Sequence, residues 1–564
     1  MTGRAEAVAI AVLLILLSLN HRRASPWLRT IERALGRMAR RQGLSIALIG
    51  LMALTASAML ALFGHMPYPQ VHDEFSYLLA ADTFAHGRLA NPTHPLWPHF
   101  ESLHVIHQPT YASKYPPGQG LMLAAGLVIG HPEVGLWINT GLAAAAVSWM
   151  LFGWLPPWWA VLGSLLAALH PGFLIYWGQS YMGGSVAMIG GALMFGAARR
   201  IMHRPRSRHA VLLGVGLAVL ANTRPYEGLV ASLPVAVMLS VWMFGKNGPS
   251  FAVSIKRVVL PTAVVLMLVG VAMGYYNMRV TGDALRPPYL VYEATYGNAP
   301  FFLWFPARPL PMYRHEIIRY HHVAALEQYS EQQSISGLAR ASVDKIKGLR
   351  LFYLGSHGLR MVLIIPLLML PWLVRDRWPR FALLTCGVMV IALAVETWVM
   401  PHYAAPVAGL VCVILLQAMR HLYVWHWRGR QTGRFLVWAI AAVAVTSFIT
   451  TFVQQMRVEP HGWGYGRARL IAQLKEDGMR HLVIVRYGPR YSIKYKWAYW
   501  EWVYNEADID GARVVWAREM NGDQNRKLLE YFNDRKVWLL ELHEHDSPPK
   551  LIPYPVESPP VTAF

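Results

Sequence analysis

Charge is scarce in this chain, and acid scarcer still. Charged residues make up 15% of 564, and 52 Lys and Arg stand against 31 Asp and Glu. A soluble protein usually carries about 25% charged residues, so an ordinary soluble globule is excluded. Cysteine is nearly absent. The two present, Cys386 and Cys412, fall inside apolar runs; they read as small packing residues and carry no information about redox compartment. No internal repeat is found, which removes support for an inverted-repeat transporter.

What fills the chain instead is apolar sequence, at 55% hydrophobic residues and a mean hydropathy of +0.30. Runs such as Leu44–Phe63, Val134–Trp149, Val258–Tyr275, Phe381–Val395 and Phe435–Phe452 are of spanning length or close to it. The expected fold class is an all-α polytopic membrane bundle of about 11–12 transmembrane helices. The net charge of +21 is not spread evenly. From Met456 onward 16 basic residues nearly balance 15 acidic ones, so the excess lies in the apolar part. There it is dealt into short loops: Arg22–Arg41, 199–209, 375–380 and 427–434. Short basic loops mark the cytoplasmic side, and this distribution argues against a nucleic-acid partner.

Sidedness then follows by counting spans. Leu44–Phe63 runs outward, leaving "YPQVHDEFSYLLAADTFAHGRL" (68–89) outside. The run Gly118–Ile129 is too short for a full span, and counting it as one would reverse everything after it; it reads as a half-helix on the outer side. A long outer loop covers 276–358, four more spans follow, and the C-terminal segment lies outside. The run Ala7–Leu19 reads as an extra N-terminal span, with a signal peptide as the alternative. Behind it Trp27, Ile31 and Leu35 share one helical face and Arg29, Arg33 and Arg37 another, the pattern of an in-plane helix. Three regions result: 1–43, an N-terminal span with the basic in-plane helix; 44–455, the membrane domain with outer loops 64–133 and 276–358; and 456–564, a small soluble extracytoplasmic α/β domain. In the last, "ARLIAQLKEDGMRHLVIVRYG" predicts a helix, a stop at Gly478 and a strand. "ARVVWARE" and "KVWLLEL" predict further strands, "NRKLLEYFN" a helix between them, and "SPPKLIPYPVESPP" an extended tail.

The polar candidates collect on one side of this map. Asp73 and Glu74 precede the helix Phe75–His86 and either cap it or act on an acceptor nucleophile. In "HQPTYASKYPPGQG" (107–120), Lys114 and Tyr115 stand beside Pro116 and Pro117, where a helix start would favour an anion; an ordinary turn is the competing reading. Arg224 and Glu227 in "ANTRPYEG" mark either a polar cavity or a salt bridge between helices. His402 and Tyr403 in "WVMPHYAAP" open a later span, and His402 could hydrogen-bond a phosphate. His72, His107 and Arg279 complete the outer set.

The order and sidedness of these pieces resemble the GT-C glycosyltransferases. The resemblance rests on the acidic pair in "HDEFSYLLAADTFAHGRL", on "KYPPG" opening a juxtamembrane helix, and on "AALHPGFLIYWGQ" at the end of a later span. It covers about residues 44–452 and is nearest to bacterial protein O-mannosyltransferase, aminoarabinose transferase and RgtA/B/C/D-like enzymes. It implies a bacterial-type inner-membrane enzyme working on the extracytoplasmic face. Such an enzyme takes a sugar from a polyprenyl-phosphate donor to a glycan, lipid or protein acceptor, usually with inversion. By that resemblance Asp73 is the base, with Glu74 orienting or capping. Lys114, Tyr115, Arg224, His402 and Tyr403 are then the donor-phosphate candidates, and His72, His107, Glu227 and Arg279 further site candidates. Metal-using relatives carry a second acidic motif; here 179–185 reads "QSYMGGS", without an acid, so no metal or other cofactor is expected. The alternative from another class is a transporter or flippase of lipid-linked sugars. It predicts charges along mid-span paths, and the spans here are almost free of them.

Overall fold

A computed structural model describes residues 21–246, 248–355, 357–459, 462–488, 491, 500–543 and 549–555. Eight helices among them are long and apolar enough to cross a membrane: Gln42–Phe63, Pro132–Trp154, Gly184–His203, Pro225–Phe244, Phe251–Thr281, Arg377–Ala394, Pro401–Tyr423 and Thr432–Arg457. Shorter apolar helices run over Pro117–Val128, Pro157–Ala168, Ser207–Ala221 and Gly358–Leu367. The fold is a polytopic membrane bundle with a small C-terminal sheet, as the apolar runs imply. The expected half-helix is Pro117–Val128, with Pro116 as its N-cap and Pro117 in its first turn, where a missing N–H costs nothing. The expected span at 7–19 lies outside the described residues, as do 547, 548 and 556–560 of the Pro-rich tail.

Two compact units divide the chain. The first takes the described residues of 1–67, 133–271 and 339–459. Its core is a continuous apolar cluster in which small residues let helices meet closely. At Gly191 a Cβ would run into the Pro406 carbonyl, so the glycine admits the segment Pro401–Val407 against helix Gly184–His203. The basic helix His21–Arg40 departs in one respect from its expected pattern: Trp27 and Ile31 are 75% and 41% exposed, but Leu35 is buried. The cause is Glu32, which accepts from Arg434 and from the Trp438 indole at 3.0 Å, turning the Glu32–Leu35 side inward.

The second unit takes 68–132, 272–338 and 460–564. Where a long loop was expected, helices Pro288–Tyr296 and Glu316–Glu331 form. Short strands β1 (Asn91–Pro92), β2 (Val105–Ile106) and β3 (Thr110–Ser113) pair in the order β1-β3-β2. Near the C-terminus, helix Trp463–Lys475 ends ahead of Gly478, whose φ of +71° suits glycine. The strands β4 (His481–Tyr487), β5 (Val514–Arg518), β6 (Lys536–Leu542) and β7 (Lys550–Pro553) follow in the order β5-β4-β6-β7. β4 pairs parallel with both β5 and β6, and β7 is antiparallel to β6. A parallel central strand is covered on both faces, which is why "HLVIV" is buried throughout.

This sheet shares its core with the 68–132 segment. Phe75 stacks on Tyr504 at 4.3 Å, and the Asp82 carboxylate accepts from the Ala507 N–H at 2.6 Å. Arg518, 2% exposed, ion-pairs with the fully buried Glu501 and donates through Nε to the Glu101 carbonyl at 2.7 Å.

Candidate active site

Helix His72–Ala85 begins with three polar residues whose side chains diverge, since neighbours on a helix point about 100° apart. Glu74 turns back over the helix start. Its Oε2 accepts from the Gln70 N–H at 2.7 Å and the Val71 N–H at 3.2 Å, satisfying donors that a helix N-terminus leaves open. Asp73 points elsewhere and keeps 31% of its side chain exposed. The Tyr115 hydroxyl donates to its Oδ1, and His104 Nε2 stands 3.7 Å from Oδ2.

The surroundings are set by strand β3 and the turn after it. Ser76 Oγ donates to the His104 carbonyl at 2.6 Å and meets Ser113 Oγ at 2.7 Å, and the Tyr115 N–H donates to Ser113 Oγ at 3.1 Å. These bonds hold His104 at φ +64°, a conformation rare outside glycine that persists only where its neighbours over-determine it. Tyr115 stacks on Tyr77 at 4.5 Å. The ring of His72 lies 6.3 Å from that of His104 and 6.0 Å from that of His321. Burial pushes His104 and His321 well below the usual histidine range, and lowers His322 to about 3, so the three are neutral near pH 7.

Lys114 is the cation of this group. It is 6% exposed, with Nζ 3.6 Å from Glu293 Oε1 and over the rings of Tyr115, Tyr289 and Tyr292 at 5.4, 5.0 and 4.4 Å. Burial lowers its pKa, and the charges of Glu293 and Asp73 push it back up. A partly exposed carboxylate, a hydroxyl fixed on it and a buried ammonium are thus held together, parts suited to moving a proton from a nucleophile and receiving a departing anion.

The structure therefore brings together His72, Asp73, Lys114 and Tyr115, with Glu74 at the helix cap beside them. Four other expected residues form a separate group in the first unit. Arg224 lies 3.7 Å from Glu227 and 4.4 Å over the Tyr403 ring, and His402 is 5.0 Å from Tyr403, ring to ring. His402 and Glu396 are 1% and 0% exposed. His107 joins neither group; it is buried with its ring beside Trp97 and Tyr111. Arg279 is exposed in the last turn of helix Phe251–Thr281. Among the described residues no three His, Cys, Asp or Glu side chains converge as a group able to hold a metal ion. Sequence reading passed over His104, His321, Tyr292 and Glu293. The one available signal was "PPYLVYEATYG", an acid alone in an aromatic helix after two prolines.

No family model matches the chain, and no curated protein matches it in sequence. Its backbone matches a solved structure, the oligosaccharyltransferase of Archaeoglobus fulgidus in complex with zinc and sulfate. The TM-score is 0.50 at 12% identity, over 87% of this chain and 67% of that one. The fold is the GT-C fold. The GT-C resemblance read from the acidic pair and the "KYPPG" turn is thus borne out at the level of architecture. ArnT from Cupriavidus metallidurans in the apo state is also similar, at 12% identity over 88% of this chain and 92% of that one, with a TM-score of 0.47.

Proposed function

We propose that this chain is a membrane glycosyltransferase. It moves a sugar from a polyprenyl-phosphate donor to a glycan, lipid or protein acceptor on the extracytoplasmic face of a bacterial-type inner membrane. The observation that carries the reading is the divergence at 73–74: Glu74 is committed to the helix cap, while Asp73 is partly exposed beside Tyr115, His104 and the buried Lys114. Sharing the GT-C fold with an oligosaccharyltransferase supports the same class.

In this reading Asp73 takes the proton of the acceptor nucleophile as it attacks the anomeric carbon. The bond from that carbon to the phosphate oxygen breaks, and the polyprenyl phosphate leaves with the electron pair. One displacement inverts the anomeric centre, and one carboxylate suffices. Lys114 receives the negative charge on the departing phosphate, in a site where low exposure strengthens the interaction. Tyr115 holds the Asp73 carboxylate in line. No metal enters the scheme.

The test is complementation. Cells lacking the chain are compared with cells carrying wild type or Asp73→Asn by mass analysis of surface glycans, lipids and proteins. Wild type restores a sugar modification that Asp73→Asn, inserted at equal level, does not. Restoration by Asp73→Asn removes Asp73 as base. Sidedness has its own check. A cysteine replacing Asp523, whose side chain is 81% exposed, should label from outside intact cells, and labelling only after permeabilisation reverses the orientation.

A further inference from the structure

Lys114 does not stand free to meet a phosphate. It already has a carboxylate, and that carboxylate is held in place by features of its own. Glu293 lies on helix Pro288–Tyr296, with Oε1 3.6 Å from Lys114 Nζ and its side chain 23% exposed. Its other oxygen, Oε2, lies against Gly297, where any Cβ would run into it. Gly297 has a φ of −74°, which every residue tolerates. The glycine serves for the room it leaves, not for its backbone freedom, since a Cβ would also come within 2.8 Å of the Glu293 carbonyl. The helix end is pinned too: the Glu293 carbonyl accepts from the Gly297 N–H at 3.0 Å and from Arg308 Nη1 at 3.3 Å.

We propose that Glu293, seated against Gly297, is a positioning residue that keeps Lys114 protonated and in place and gives that ammonium up to the donor phosphate. The proposal rests on Lys114 being the phosphate contact. Its physical ground is that a lysine walled in by aromatic faces sheds its proton unless a carboxylate is near, and a neutral amine would not attract the anion. The other groups facing Lys114 cannot replace Glu293. From helix Glu316–Glu331, His321 and His322 are neutral near pH 7, and so is His104. Tyr289 and Tyr292 offer ring faces. Asp73 supports the charge more weakly than Glu293 and is engaged by the Tyr115 hydroxyl.

The experiment measures binding of undecaprenyl phosphate to the purified full chain between pH 6 and 10. Wild type should lose affinity at high pH as Lys114 deprotonates. Glu293→Gln should move the midpoint of that loss down by about one pH unit or more, with affinity below the midpoint unchanged or higher because a competing carboxylate is gone. Glu293→Asp should stay nearer wild type. Gly297→Ala, whose Cβ would press on both the Glu293 carboxylate and its backbone carbonyl, should shift the midpoint in the same direction and covers the case of Glu293→Gln failing to fold. A loss of affinity equal at every pH, with no midpoint shift, would mean a merely structural role and overturn the proposal. Lys114→Met separates the two readings. Wild-type binding in that variant removes Lys114 as the phosphate contact. Its loss, with Glu293→Gln unchanged from wild type, rejects only the role of Glu293.

Discussion

At position 74 a carboxylate closes a helix; at 73, one residue earlier, another stays partly exposed. The two acids differ in what each reaches, and mutation separates them. Glu74→Ala leaves the Gln70 and Val71 N–H groups without their acceptor and should cost about 1–2 kcal/mol, read as a lower thermal midpoint of the purified chain. Asp73→Asn should leave that midpoint close to wild type while abolishing transfer. Helix geometry lets only one of two adjacent side chains face a common point; the choice of Asp73 over Glu74 came from the GT-C resemblance, not from that geometry. Glu293 was not legible as the partner of Lys114, since 179 positions of chain separate them and nothing in the spacing of "VYEATYG" from "KYPPG" encodes their meeting. The Tyr115 hydroxyl donates to Asp73, a pairing that sequence does not carry.

Among the elements, close approach decides more than length. Gly191→Ala should force Pro401–Val407 away from helix Gly184–His203, because the added Cβ meets backbone rather than a movable side chain. A fall of several degrees in thermal midpoint and faster hydrogen exchange at 401–407 would register it. Gly36→Ala serves as control: nothing lies within 4 Å of a Cβ there, and a helix-interior alanine should be neutral or stabilise by about 1 kcal/mol. Removing the charge of Arg518 by Arg518→Met would strand the fully buried Glu501, an effect of about 3–5 kcal/mol visible as protease sensitivity of the C-terminal sheet. The spans were legible because continuous apolar sequence has few other uses. Helices in 276–358 were not, because segments such as "EIIRYHHVAALEQYSE" mix polar and apolar residues at an average hydrophobicity near neutral. Their apolar positions find partners only in the tertiary fold.

Across the whole molecule, buried histidines set a pH dependence. His104, His107, His315, His321 and His322 all have pKa values lowered by burial. In the unfolded chain each takes up a proton near pH 6.5, while in the fold each does so only at much lower pH. Below 6.5 the unfolded state therefore binds more protons, and stability falls as pH falls, by up to about 1.4 kcal/mol per histidine per pH unit. His94 and His99, also lowered by burial, act in the same direction, and Glu101, raised by burial, in the opposite one. Thermal midpoints should drop steadily from pH 7 to 5, and His107→Phe should flatten the slope, because that ring already packs beside Trp97 and Tyr111. A midpoint independent of pH over this range would contradict the burial of these rings.

The second unit gathers stretches 68–132, 272–338 and 460–564, and this has a consequence for biosynthesis. Phe75 and Asp82 emerge from the ribosome early, yet Tyr504 and Ala507, which complete their surroundings, come more than 400 residues later. A chain cut short before Tyr504 lacks both the ring stacked on Phe75 and the N–H bonded to Asp82. The packing around Phe75 and Asp82 is therefore complete only after position 507 has been made.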